Sequence, residues 1–393
     1  MRVAFVGGFD PDYPRVRGLR EGLEARGVEV RMLAVSPRAG FGARQAAMIA
    51  AWAGRAAGVD AFIVPSFGHR DVALLALLAR LSGAPLLFDP LVSRWDTQVR
   101  DIGRVKDGSF ASLRLRLSDR VSMALADIVL CDTWEHGEFF SSAFGVPRRK
   151  LARVPVGADR AAFDLGAKRS ASTDRSAPRP MAESGGTAAA GARPFEIAFV
   201  GGFLPLHGTA VIVQAAALLE ARHGPDFARF TLAGHGMHAY RVDRDLASLG
   251  LRCVRRLPRV PYEEALRVMA AADVALGIFG VSEKAGRVVP HKVYQSLALG
   301  VPTVTRRSAA IAEFFRDGRD GQEGEALVTI PAGDAKALAR ALEELARDPA
   351  RRDRIGAAGR AAALAQGSPG RLGEALLEAV ARSRAATAPR MKR

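Results

Sequence analysis

Short apolar runs alternate with segments of helical periodicity along most of the chain. RVAFVG opens it, and the stretch from about Tyr13 then carries Val16, Leu19 and Leu23 at the spacing that puts them on one helix face. VEVRMLAV, an Ala-rich helix around Met48 and Trp52, DAFIVPS, the helix of VALLALLARL, PLLFDP, DIVLCDT and KLARVPVG continue the alternation. The strand segments are apolar at successive positions, not at every second one. Both of their faces must therefore be covered, which predicts parallel sheets with helices on either side. The hexapeptide AFVGGF occurs at Ala4 to Phe9 and again at Ala198 to Phe203, followed by LEARG from Leu23 and LEARH from Leu219. Such an echo predicts two halves built alike, each opening on a strand and a glycine turn.

Between the halves the pattern lapses. DLGAKRSASTDRSAPRPMAESGGTAAAGARP holds almost no large apolar side chain and reads as a flexible linker over residues 164–194. The alternation restarts with FEIAFVG and runs through VIVQAAALLEAR, RFTLAG, LRCVRRL, YEEALRVMAAA, DVALGIFG, PHKVYQSLALG, VPTVTRR and EALVTI. Asp334 is placed to cap the helix of DAKALARALEELARD. The expected organisation is an N-terminal domain over 1–163, the linker, a C-terminal domain over 195–366, and a last helix with a basic tail over 367–393, the helix packing back on the first domain.

Composition changes this picture little. A chain of 393 residues suits two domains, and 49% apolar with 25% charged residues is ordinary for a globular protein. The net charge of +16 is spread among interleaved acids and bases, and the aromatic-basic interleaving of a single-strand groove is absent, so nucleic acid is not an expected partner. Cys131 and Cys253 fall in different halves and supply no disulfide framework. No apolar run reaches the ~18 residues of a membrane span. MRVAFVGGFD reads as a strand, not a signal peptide, and the expected location is cytoplasmic.

Chemistry concentrates after the strand ending near Gly280. A polar loop carries Glu283, Lys284 and Arg287, and a helix then begins with His291 and Lys292. Helix N-termini attract anions, and a lysine there opposes the helix dipole unless a bound anion such as a diphosphate neutralises both. Two of the chain's seven lysines sit in this stretch. His291 can alternatively pack or cap. In the first half, Asp10, Tyr13 and Arg15 follow the first strand, His69 the third, and Asp89 ends PLLFDP, all where ligands meet open α/β sheets. His69 reads either as a polar group facing a ligand or as part of a helix cap. The segment SRWDTQVRDIGRVKDGSFASLRLRLSDR mixes Trp95 and leucines with arginines; it reads as a half-buried element, with contact to an anionic membrane as the alternative.

VPHKVYQSLALGVPTVT resembles the donor-binding signature of GT-B glycosyltransferases, in particular glycosyltransferase family 4. VGGFLPLHG resembles that family's opening turn of the second domain, FTLAGHG its glycine turn, and ADIVLCDTWEHGEFFSSAFGVPRRKLARVPVGADRAAF its end of the first domain. The resemblance implies two Rossmann-like doubly wound domains facing across a cleft, the N-terminal one for the acceptor and the C-terminal one for the nucleotide sugar. It implies a retaining, metal-independent transfer of a sugar from a nucleoside diphosphate to an acceptor hydroxyl, with no cofactor beyond that donor. The acceptor is a glycan, a lipid-linked or a small molecule. Gly201, Gly202, Phe203, His207, Gly208, Gly234, Gly236 and Gln295 fall on its donor-binding positions. Gly202 and His207 stand where the family often has Arg and Lys, and Arg287 and Gln295 where it often has two glutamates. Lys284, Arg287 and Lys292 are then expected to supply the positive charge, with Lys292, Lys284 and His69 as the catalytic set. A nucleotide-sugar epimerase or a non-catalytic binding protein of the same fold are the alternatives.

Overall fold

The computed structural model describes residues 1–55, 57–171, 193–315 and 324–387. They divide into two compact units, one of Met1–Arg160, Arg287–His291 and Ala365–Arg393, the other of Ala161–Gly286 and Lys292–Leu364.

The first unit is built on strands β1 (Arg2–Gly8), β2 (Glu29–Val35), β3 (Ala61–Val64), β4 (Leu86–Phe88), β5 (Ile128–Cys131) and β6 (Leu151–Arg153). All pair parallel, in the order β2-β1-β3-β4-β5-β6. β1 shows why the sequence is apolar at successive positions: Val3 and Phe5 pack with Leu19 and Leu23 on one side, Ala4 and Val6 with Phe62 and Leu75 on the other. The helix Pro369–Thr387 lies along the helix Pro14–Glu24 and adds Leu372, Leu376 and Val380 to the first of these cores. The two helices touch at Gly22 and Gly373, where a Cβ on Gly373 would come within 2.0 Å of the Gly22 carbonyl oxygen.

The second unit contains β7 (Phe195–Val200), β8 (Ala228–Ala233), β9 (Val254–Leu257), β10 (Val274–Leu276), β11 (Thr303–Arg306) and β12 (Val328–Ile330). Their order is β12-β11-β10-β7-β8-β9, again all parallel. Read from the β9 edge, this is the strand order of the dinucleotide-binding sheets, with its reversal between β7 and β10. In the first unit the reversal falls between β1 and β3. The repeated hexapeptide thus opens both sheets, yet its strand has one neighbour to its outer side in the first and two in the second.

Composition placed the linker from residue 164, but the helix Arg160–Ala171 continues eight residues into that stretch. Phe163 is buried, and Arg360 donates to its carbonyl at 3.0 Å, so packing holds a segment whose own composition is weak. The remainder, 172–192, lies outside the described residues. Asp334 caps the helix Ala335–Arg347 as expected, its Oδ1 accepting from the Ala337 N–H at 2.8 Å. Among the described residues no helix is long and apolar enough to cross a membrane.

Candidate functional site

In the second unit the ends of β7, β8 and β10 converge with the start of the helix His291–Ala298. Lys292, its second residue, turns its side chain inward beneath the turn after β7. The ammonium lies 3.8 Å from the Phe199 ring centroid and makes no hydrogen bond. Desolvation holds its pKa well below the usual 10.5. The aromatic face returns part of the hydration energy, but a fully buried lysine without an anion is an unsatisfied group. His207, which ends the short helical turn Pro205–His207, packs its ring edge against Phe199 with centroids 5.8 Å apart. Burial, then the charges of Lys292 and Lys284, push its pKa well below 6.5, so at neutral pH it is a neutral imidazole with a buried, unpartnered Nδ1. Lys284, in the short helix Glu283–Arg287, is buried, and Glu283 is exposed.

The backbone makes the space for that ammonium. A Cβ on Gly201 would stand 2.5 Å from Lys292 Nζ. Gly234, at φ +139°, lies so close that a Cβ would be 1.9 Å from the Gly201 carbonyl oxygen. Gly208 seats a similar contact against Phe279 and Gly280, and Gly236 against Phe203. Gly202 lies next to this turn and half-exposed. Phe203 is fully buried beneath the Arg256 guanidinium, 4.5 Å from its ring centroid. Gln295, one turn beyond Lys292, donates from Nε2 to the Tyr262 hydroxyl at 3.1 Å. Gly234→Ala must move backbone at an unfavourable φ, costing about 1–3 kcal/mol in strain and about 1–3 kcal/mol more in displaced packing. A drop in melting temperature, read by calorimetry, is the expected outcome.

In the first unit the residues expected at an acceptor assemble around a buried ion pair. Arg15, with no exposed surface, donates from Nε to Asp89 Oδ2 at 3.0 Å and from a terminal nitrogen to Oδ1 at 3.3 Å, and also to the Pro155 carbonyl. Tyr13 has its pKa raised to about 12 by burial and by the Asp89 charge. Its ring meets His291 edge-on at 6.0 Å and Phe67 at 5.6 Å. Burial, then the Arg15 charge, lowers the pKa of His291 to about 3. Asp10 is exposed, and its Oδ1 accepts from the Asp12 N–H.

Three expected residues take other roles. His69 lies wholly inside, with Nε2 3.4 Å from Asp119 Oδ1 and its ring edge-on to Phe88. Burial, then Arg94, lowers its pKa to about 3, so it is a neutral packed group and not one presented to solvent. Trp95, expected at the acceptor, is a core residue only 4% exposed. Its indole N–H donates to Ser112 Oγ at 3.0 Å, and Arg100 and Arg116 cover its faces. Arg287, within the segment that joins the first unit, is paired with Asp96 at 2.9 Å to both carboxylate oxygens and lies 4.1 Å from the Phe139 ring centroid; Thr133 Oγ1 donates to its carbonyl at 2.5 Å. That guanidinium is engaged before any phosphate arrives. Sequence reasoning passed over Asp96 and Asp119, whose partners are distant in the chain, and Phe67. Phe67 holds φ +70° without being glycine and remains 53% exposed beyond β3. Strain of that kind gathers at functional positions, and the Phe-Gly turn at a strand's carboxyl end was the available signal.

Two parallel six-stranded sheets with their helices match the fold of GT-B glycosyltransferase structures. Residues 211–378 match the family model described as "Glycosyl transferase-like". The D-inositol 3-phosphate glycosyltransferase of Nocardia farcinica (strain IFM 10152) is 29% identical over 213 residues, which is 52% of this chain and 43% of that protein. The chain thus spans less than half the length of that relative. Among solved structures, the sucrose-phosphate synthase of Thermosynechococcus elongatus superposes with a TM-score of 0.70 at 16% identity, covering 98% of this chain and 100% of that one. Anabaena HepE in complex with UDP gives 0.65 at 15% identity, covering 97% and 100%.

Proposed function

We propose that this protein is a glycosyltransferase that takes a sugar from a nucleoside diphosphate sugar and moves it to an acceptor hydroxyl. The observation that carries this reading is the buried Lys292 ammonium, without a hydrogen-bond partner, at the carboxyl edge of β7 beside the strand-order reversal. A diphosphate there satisfies the lysine, and the lysine in turn receives the charge that builds on the leaving group. The bond between the anomeric carbon and the phosphate oxygen breaks with its electron pair leaving on the diphosphate, and preorganised donors aimed at that charge are typically the largest catalytic contribution. Lys284 adds positive potential close by, and the neutral His207 offers a hydrogen bond. Gln295 keeps an acceptor oxygen for a ribose hydroxyl while its nitrogen holds Tyr262.

The match to the glycosyl transferase-like model supports the reaction class, and the UDP and UDP-glucose complexes of Anabaena HepE support a uridine diphosphate sugar as donor. The family 4-like helix VPHKVYQSLALG supports retention of anomeric configuration, with cationic side chains taking the place of a metal at the leaving diphosphate. The acceptor, a glycan, a lipid-linked or a small molecule, meets the strand ends of the first unit, where Tyr13 and Phe67 lie together. A thermal-shift panel of UDP, GDP, ADP and dTDP sugars tests the donor. Ligand at a hundred times its Kd stabilises by about 2.7 kcal/mol, so the melting temperature rises with the true donor. No shift with any of the four sinks the proposal.

A further inference from the structure

The helix Phe110–Leu125 buries several polar residues and leaves an apolar stripe outside. Its polar residues Ser112, Asp119 and Ser122 are buried, while Phe110, Leu113, Leu117 and Val121 are 82%, 57%, 60% and 41% exposed. Positions three, four and four residues apart form one continuous stripe along a helix. The inward polar face has its partners: Ser112 Oγ accepts from the Trp95 indole, and Asp119 Oδ2 accepts from Ser93 Oγ at 2.6 Å and from the Trp95 N–H at 2.9 Å. The helix is half-buried, as the sequence suggested, with Met123, Leu115 and Leu125 against the core, but Leu113 and Leu117 lie outside. The anchoring of Trp95 turns Leu113 and Leu117 out, where they forfeit the free energy of leaving water.

Basic residues border the stripe. Arg114, Arg116 and Arg120 are exposed, and the one acidic residue of the helix, Asp119, is buried. At the helix's end Lys150 donates to the Ala124 and Ala126 carbonyls, within the field of Asp127 and of Arg149 and Arg80. Near its first half Arg94 feels the like charges of Arg70 and Arg114. The adjoining helix Val72–Leu81 exposes Leu77 and Leu81 as well.

We propose that the helix Phe110–Leu125 seats the first unit on an anionic lipid surface. Phenylalanine and leucine enter the boundary of the acyl chains, and the arginines lie along them and reach the headgroups. Sixteen residues make a rod of about 24 Å that lies in the plane of the surface. A second copy of the chain fits less well, because a two-fold contact through this stripe sets arginine against arginine with no exposed acid on the helix to answer it.

The test uses the full chain and co-sedimentation with vesicles of phosphatidylglycerol and phosphatidylcholine in equal parts, against phosphatidylcholine alone. The expected result is binding to the mixed vesicles at low salt, weakened at high salt, with none to phosphatidylcholine. Leu113→Ser with Leu117→Ser lowers the partition coefficient about tenfold or more, and Arg114→Gln alone about fivefold, while far-ultraviolet circular dichroism stays as in the wild type. Absence of binding at low salt overturns the proposal, as does binding that both variants leave unchanged. A solution dimer that the leucine variant dissociates, without vesicle binding, assigns the face to a second copy instead. No donor-site residue is involved, so the outcome is independent of the proposed transferase activity.

Discussion

Lys292→Met lowers kcat by about 10²–10³, or about 2.7–4 kcal/mol, and at the same time raises the melting temperature of the ligand-free protein. Both effects have one origin. The ammonium is buried for a partner that the apoprotein does not supply. Methionine fills nearly the same volume without a polar end, and removing an unsatisfied buried donor returns about 1–3 kcal/mol. For a unit of this size each kcal/mol is worth about 2–4 °C. The pH dependence follows the same logic. Lys292's folded pKa lies below the unfolded value of 10.5, so between the two the unfolded chain binds the extra proton. Stability is therefore fully present above 10.5, falls as pH drops through that window, and stays reduced below the folded pKa. Lys292→Met flattens this slope. Activity assays with donor and denaturation across that range measure the two halves of the prediction. A variant with full turnover, or one less stable than wild type with the slope intact, removes Lys292 from its assigned role.

Arg15→Leu is expected to cost about 3–5 kcal/mol of stability, because it leaves the Asp89 carboxylate buried without its counter-charge. Both side chains are almost completely inside, and the two nitrogen contacts hold them rigidly. The double variant Arg15→Leu/Asp89→Leu recovers much of the loss, since replacing both members of a buried pair by apolar groups is often close to neutral. Chemical denaturation of the two single variants and the double variant closes the cycle. If Arg15→Leu instead folds with wild-type stability and raises only the KM for acceptor, Arg15 is a binding residue and not a structural one.

The sequence was informative where a property is local. The strand-helix alternation, the Asp334 cap and the unusual lysine at the start of VPHKVYQSLALG each depend on residues within a few positions, and each appears in the structure. Pairings over long chain distances were not legible. Asp96 and Arg287 are 191 residues apart, so nothing near Arg287 indicated that its guanidinium would be engaged by a carboxylate and the Phe139 ring. Strand order was hidden for a related reason: AFVGGF specifies a buried strand and a glycine turn, but its neighbours are fixed by segments far along the chain. Trp95 was misplaced because an aromatic among arginines fits an exposed site and a cation-covered core position alike. Only the Ser112 and Asp119 contacts decide between them, and those same contacts turn Leu113 and Leu117 outward.

Isothermal titration of UDP into the protein at about pH 8, where a terminal phosphate with pKa near 6 is already ionised, addresses the role of Lys292 most directly when repeated in buffers of different ionisation enthalpy. Lys292→Met is predicted to abolish most of the affinity, and any proton uptake that accompanies binding in the parent is lost with it. Wild-type affinity in Lys292→Met, with the same proton balance as the parent, would contradict the assignment of this buried lysine to a diphosphate.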